Sequence, residues 1–216
     1  MANVPLAFKL RRREHRALAA AQDLVVLELY GAFPRAVLHG GTAIWRCYKG
    51  SRFSEDLDVY LPQSARKAVD SFLEGLKRRG LARQKFKETE NAMFGKFTFG
   101  GFPVRVEALF KDTKSYTVRP FEMTDGTFIT ANVLEPSELI LEKTSAYADR
   151  RKVRDLYDIF YLTHLTDRSG NMAREVRKLL ANFKPPQDPS VLRTLIIAGS
   201  VPTVRSMLEE LERWAR

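Results

Sequence analysis

The 216-residue chain suits one generous domain or a compact domain with a helical appendage, and its near-average hydrophobic and charged content excludes disordered and fibrous classes. The one cysteine, Cys47, excludes an internal disulfide and a thiolate metal cluster and fits a reducing compartment. The net charge of +10 is gathered around Lys9 to Arg16, Lys77 to Lys87 and Arg150 to Arg154. Such clusters release counterions from polyanions, so RNA, DNA or a nucleotide is a natural partner, with solvated helix faces as the plain alternative. No apolar run approaches the ~20 residues of a membrane span, and Pro5 interrupts any signal-peptide core. The expectation is a cytoplasmic protein with no membrane association.

Residues 12 to 30 show apolar positions at helical spacing, ended by Gly31 and Pro34. Ala36 to Leu38 reads as a short buried strand entering a turn at Gly40-Gly41, after which Thr42 is expected to cap a helix over Ala43 to Tyr48. Asp56 to Leu61 alternates polar and apolar, the period of a strand with one buried face. Pro62 ends it, and residues 64 to 79 predict an amphipathic helix closed by Gly80. Strands follow over Arg83 to Glu88, Met93 to Phe99 and Pro103 to Phe110, the last pair joined by a Gly100-Gly101 hairpin turn, with further strands near Tyr116 to Arg119 and Phe128 to Val133. From Pro136 onward the pattern is helical. The expected fold class is α+β, with an α/β core and its N-terminal helix over residues 1–134 and a C-terminal helical bundle over 135–216.

Strand residues two apart share a face at about 6.6 Å, so Asp56 and Asp58 project side by side while Leu57, Val59 and Leu61 point to the core. Paired carboxylates of this kind converge on Mg²⁺ (or Mn²⁺), which bridges triphosphate oxygens. Glu107 is a candidate third acid, because Val104, Val106 and Ala108 read as the buried face of its strand and leave Arg105 and Glu107 on the other. An Asp-x-Asp pair alone is a weak signal; its context strengthens it. Gly40, Gly41 and Thr42 lie at a strand-to-helix turn where phosphate can approach the backbone, and Arg52 and Ser54 offer a charged fork and a hydroxyl. No Walker A sequence, kinase loop, dinucleotide fingerprint or esterase elbow occurs, and His15, His39 and His164 lack zinc-ligand spacing.

Leu38-His39-Gly40-Gly41-Thr42-Ala43-Ile44 followed by Arg52-Phe53-Ser54-Glu55-Asp56-Leu57-Asp58 resembles the signature of the AbiEii/AbiGii toxin family, a branch of the polymerase-β-like nucleotidyltransferases. Glu142-Lys143, Ala146, Arg150 and Arg154-Asp155-Leu156-Tyr157-Asp158-Ile159 resemble its second signature, so the likeness covers about residues 35 to 165. The resemblance implies a polymerase-β-like core with a mixed sheet. It also implies a triphosphate cradled by Gly40, Gly41 and Thr42, Mg²⁺ on Asp56 and Asp58, Lys143 neutralising phosphate charge, and Asp155 as a catalytic or positioning acid. It further implies the toxin of a toxin–antitoxin or phage-defence pair that moves NMP from an NTP onto an acceptor such as tRNA or another RNA, with a cognate antitoxin as partner. Glu107 departs from the pattern, where aspartate is usual, and the helices after about Asn171 match nothing recognised.

Read without that likeness, Lys143 is an ordinary exposed helix lysine, and Asp155 and Asp158 pair with Arg151 and Arg154 on a helix surface. The rival readings of the whole chain are a glycosyltransferase-like enzyme that holds a nucleotide sugar through Asp-x-Asp, and an inactive nucleic-acid-binding or antitoxin-like module.

Overall fold

The computed structural model describes residues 4–168 and 170–216. They form two compact units, the first made of the chain up to Lys49 with Phe53–Val133, the second of Gly50–Arg52 with Leu134–Arg216. In the first unit a short helix α1 (Leu6–Lys9) precedes the long α2 (Arg13–Ala32), which stops before Pro34 with Phe33 N–H on the Leu29 carbonyl. Strand β1 (Val37–His39) runs into α3 (Gly40–Cys47), and β2 (Asp56–Leu61) follows. The helix expected over residues 64–79 begins as 3-10 turns over Gln63–Ala68 and continues as α4 (Val69–Arg78), a common way for a helix to start. Strands β3 (Ala82–Glu88), β4 (Ala92–Phe99), β5 (Phe102–Phe110), β6 (Tyr116–Glu122) and β7 (Phe128–Leu134) complete a seven-stranded sheet of order β3-β4-β5-β2-β1-β7-β6.

The sheet is mixed. β2 runs parallel to β5 and antiparallel to β1, β1 runs parallel to β7, and β3, β4 and β5 form an antiparallel meander. Gly100 and Gly101 join β4 to β5 with both φ angles positive, the backbone that a two-residue hairpin turn requires. The alternation seen in the sequence decides which way each strand faces. Leu57, Val59 and Leu61 of β2, Val104, Val106 and Ala108 of β5, and Met93 and Phe97 of β4 are buried, and α2 packs on β4, β5 and α4. Each large apolar side chain so covered contributes about 1.5–3 kcal/mol. All eight residues of α3 are buried against β1, β2 and β6, and burial pushes the Cys47 thiol up to about 12.

In the second unit Pro136 opens α5 (Pro136–Arg150) at a position where its missing N–H costs nothing. Arg151 then turns left-handed and α6 (Val153–Thr163) begins. α7 (Gly170–Ala181), a 3-10 turn over Pro189–Val191, α8 (Leu192–Leu195) and α9 (Val204–Ala215) follow. α5 packs on α6 and α7, and each of those packs on α9. Gly50–Arg52 joins this unit through an antiparallel bridge between Arg52 and Ile196 and a 2.9 Å bond from Ile197 N–H to the Ser51 carbonyl. Among the described residues no helix is long and apolar enough to cross a membrane.

Candidate active site

In the α/β unit the site is built where β1 turns into α3 beside β2. Gly40 sits at φ +68, and a Cβ there would overlap the Asp58 carboxylate. Glycine is therefore required twice over, by the left-handed backbone and by the close approach of an acid. The helix starts at Gly40, three residues earlier than the sequence suggests, with His39 at its N-cap, so Thr42 is not the cap. Its hydroxyl instead donates to the Asp56 carbonyl at 2.5 Å, tying the first turn of α3 to the start of β2. The approach to β2 is fixed as well. The Gln22 amide donates to the Ser54 and Glu55 carbonyls at 3.0 and 2.9 Å, and Phe53 is stacked on His15 and tilted against Trp45.

Along β2, Asp56 and Asp58 are half-buried while Leu57 and Val59 are fully covered. The parallel register sets Asp56 opposite Arg105 and Asp58 opposite Glu107, so the three acids stand on one face of two neighbouring strands. Arg105 donates to Asp56 at 2.5 Å and lies 3.7 Å from Glu55, and these carboxylates hold its guanidinium pKa above the ordinary value. His39 lies opposite Asp58 on β1 and stacks on Tyr60 at 4.0 Å between ring centroids. A recess of 410 Å³ opens beside Asp56, where Lys85, Lys96 and Arg105 supply positive charge and Phe94 an aromatic face.

The donor set is carboxylate oxygen alone, which suits Mg²⁺ or Mn²⁺ better than zinc. Among the described residues no three His, Cys, Asp or Glu side chains converge into a metal cage. Mg²⁺ ordinarily takes one or two carboxylates and completes its shell with water and substrate phosphate. Asp56 and Asp58 fit that requirement, with Glu107 level with Asp58.

The helical unit holds a second acid pair of different character. Asp155 and Asp158, three apart on α6, are fully buried. Arg52 grips Asp158 with two bonds of 2.8 Å, Arg150 grips Asp155 with two more of 2.8 Å, and the Lys143 ammonium stands 3.0 Å from Asp158 and 3.8 Å from Asp155. Burial alone would raise the Asp158 carboxyl, but Arg52 and Lys143 outweigh it and hold the group below the ordinary carboxylate value. Bidentate forks of this kind carry geometric specificity as well as charge.

The structure thus gathers Gly40, Gly41, Thr42, Asp56, Asp58 and Glu107 in the α/β unit and Arg52, Lys143 and Asp155 in the helical one. Ser54 is buried on the segment leading into β2. Arg52 presents its fork to Asp158, and Lys143 is buried between two acids instead of lying on an exposed face. Asp155 and Asp158 are not surface partners of Arg151 and Arg154, because α6 turns both into the bundle where Arg150, Lys143 and Arg52 meet them. Sequence reasoning gave no place among the site residues to Arg105, Arg150 or Asp158. The seven-residue spacing of Lys143 and Arg150 on α5 and the three-residue spacing of Asp155 and Asp158 on α6 are the signals that could have found the last two.

The mixed sheet, with a glycine turn set against strand carboxylates and helices following, defines the class of nucleotidyltransferase folds. Two solved structures share it across nearly their whole length. JHP933 from Helicobacter pylori aligns with a TM-score of 0.67 at 18% identity, covering 94% of this chain and 91% of that one. The nucleotidyltransferase toxin MenT4 from Mycobacterium tuberculosis H37Rv aligns with a TM-score of 0.59 at 18% identity, covering 97% and 90%. No curated protein matches the chain by sequence. The family described as nucleotidyl transferase AbiEii toxin, type IV TA system, matches residues 22–195. The chain belongs to the AbiEii nucleotidyltransferase toxin family.

Proposed function

We propose that the protein transfers a nucleoside monophosphate from an NTP to a hydroxyl of an RNA acceptor such as tRNA, acting in the cytoplasm as a toxin in phage defence with a cognate antitoxin. The observation that carries this reading is the packing of Gly40 against Asp58, which sets a side-chain-free turn at the start of α3 beside the acids able to hold a phosphate's counter-ion. The family assignment favours nucleotidyl transfer over the use of a nucleotide sugar.

In the reaction the acceptor hydroxyl gives up its proton to solvent as its oxygen attacks the α-phosphorus in line, the bond to the β-phosphate oxygen breaks, and pyrophosphate leaves with its charge. Gly40 and Gly41 admit the triphosphate to the start of α3, Thr42 keeps that turn fixed to β2, and Ser54 lies on the rigid approach to the same strand. Asp56 and Asp58, with Glu107, would hold Mg²⁺, or Mn²⁺ in its place. The metal supplies neutralisation of the triphosphate charge. Arg105 occupies Asp56 in the protein alone, so it exchanges this carboxylate for a phosphate or for Glu55 when the site loads. In the helical unit Asp155 and Asp158 orient the Lys143 ammonium, which meets charge developing on the leaving group. The recess beside Asp56, with Lys85, Lys96 and Phe94, gives an RNA strand cationic contacts and a stacking surface.

The test is incubation of the purified protein with each radiolabelled NTP, Mg²⁺ and total RNA. Label should enter RNA from a preferred NTP, and Asp58→Ala should reduce transfer by at least about 100-fold without loss of the folded circular dichroism signal. Wild-type rates in that variant would remove the carboxylate pair from the mechanism.

A further inference from the structure

A second cavity lies wholly in the helical unit, between α5 and α7 and the segment after α7. Its volume is 780 Å³, within the range of about 300–1,000 Å³ typical of small-molecule sites. Thr144 on its wall is only 7% exposed, and among the described residues its hydroxyl oxygen is the buried side-chain polar atom that lacks a hydrogen-bond partner. Folded proteins seldom leave such a group unmatched, and each instance calls for a physical reason. Lys143, one residue earlier, faces the buried acids of α6, so neighbouring positions of α5 serve separate sites.

The remaining lining specifies the missing partner. Arg151, Lys178 and Lys184 bring three cations to the cavity, and Glu175 is the one acid among its lining residues, lying 3.7 Å from Lys178. Tyr147 and Phe183 are stacked on each other at 5.9 Å, and the Tyr147 hydroxyl donates to the Lys184 carbonyl at 2.7 Å, fixing the aromatic wall to the cationic one. Arg151 has φ +47, a left-handed backbone that a helix end normally gives to glycine. An arginine at this position brings its side chain to the cavity at the cost of backbone strain.

We infer that this cavity binds a nucleoside phosphate, separate from the candidate active site, with the phosphate on Arg151 and the two lysines, the base against Phe183, which the buried Tyr147 backs, and Thr144 bonded to a polar edge. This inference does not depend on the proposed transfer reaction. It can hold for a chain that transfers nothing, and it can fail for an active enzyme.

The experiment is equilibrium dialysis of the full chain against radiolabelled AMP, CMP, GMP and UMP, with inorganic phosphate and the free nucleosides as competitors. The variants are Thr144→Val, Arg151→Gly and Lys184→Gln, together with Gly41→Val to mark binding at the candidate active site. At least one mononucleotide should bind, more tightly than its nucleoside or phosphate alone. Thr144→Val should weaken binding by about fivefold, the worth of one hydrogen bond, and Arg151→Gly by about tenfold or more, while Gly41→Val leaves this binding unchanged. Arg151→Gly relieves a strained backbone and Thr144→Val removes an unpartnered hydroxyl, so neither should lower the Tm of the free protein. The inference is overturned if no mononucleotide binds, or if binding follows Gly41→Val and ignores the three cavity variants. It is also overturned if Thr144→Val lowers the free protein's Tm by several degrees, which would mean that the hydroxyl already has a partner such as a bound water.

Discussion

Each unit carries a close pair of aspartates, and the pairs differ in almost every physical respect. Asp56 and Asp58 are half-buried on a strand, and the guanidinium on Asp56 comes from an Arg105 that is itself 44% exposed along its side chain. Asp155 and Asp158 are fully buried on a helix, where two forked arginines and a lysine surround them. Charge in a low-dielectric interior is tolerated only when it is paired and hydrogen-bonded, so the helical acids are locked to their cations. The strand acids keep access to solvent, and the cation near them can be exchanged. Two acids in one short motif therefore point to chemistry only when the surroundings leave them able to change partner.

The comparison is broken most severely by removing one member of the buried network. Asp158→Ala leaves Arg52 charged and buried, and should cost the helical unit about 3–5 kcal/mol in urea denaturation. The same carboxyl sets a pH window. Its folded pKa lies below the ordinary 3.8, so its contribution is complete above that value and is lost as the pH falls from there through the lower folded pKa. Unfolding of the wild type should steepen in that acid range, and Asp158→Asn should flatten the dependence.

Lys143 sharpens the comparison next, since it touches both buried acids and is the residue proposed to meet phosphate. Lys143→Ala should lower kcat more than it raises KM for NTP, with only partial rescue by Lys143→Arg, because a planar fork replaces a compact point charge. Its stability cost should stay at about 1–3 kcal/mol, since Arg150 and Arg52 still satisfy the acids. Unchanged kcat in Lys143→Ala would leave the lysine a purely structural residue. The smallest effect belongs to Arg105→Ala. Stability should shift by less than about 1 kcal/mol, as for other exposed pairs, and a loss of several kcal/mol would show that Asp56 is held by its cation as firmly as Asp158.

Much of the α/β unit was legible because its rules are local. Alternation on β2 and β5 assigned faces to Asp56, Asp58, Arg105 and Glu107, and glycine pairs marked the turns at Gly40 and Gly100. What stayed hidden depends on contacts distant in sequence. Nothing near Arg52 shows that its partner is Asp158, more than a hundred residues onward, or that Gly50–Arg52 packs with the helices that follow β7. The likeness to a known family pointed to Lys143 and Asp155, but periodicity alone left them on a surface, because a helix pattern does not show which polar residues a bundle will enclose. Thr42 was misplaced for a related reason. A left-handed glycine lets α3 begin at once after β1, and the hydroxyl is used to anchor β2.

Cys47 gives this arrangement a kinetic handle. It is the sole cysteine of the sequence and lies in α3, the helix that Gly40 begins. Burial pushes its thiol well above the ordinary cysteine value, leaving little of the reactive thiolate, and also denies an alkylating reagent access to the sulfur. Iodoacetamide can therefore mark only molecules whose α3 has opened, and its rate of incorporation becomes a clock for the opening of the helix that begins at Gly40. Nucleotide bound at the Gly40 turn, as proposed above, should slow the clock, reporting occupancy without any turnover.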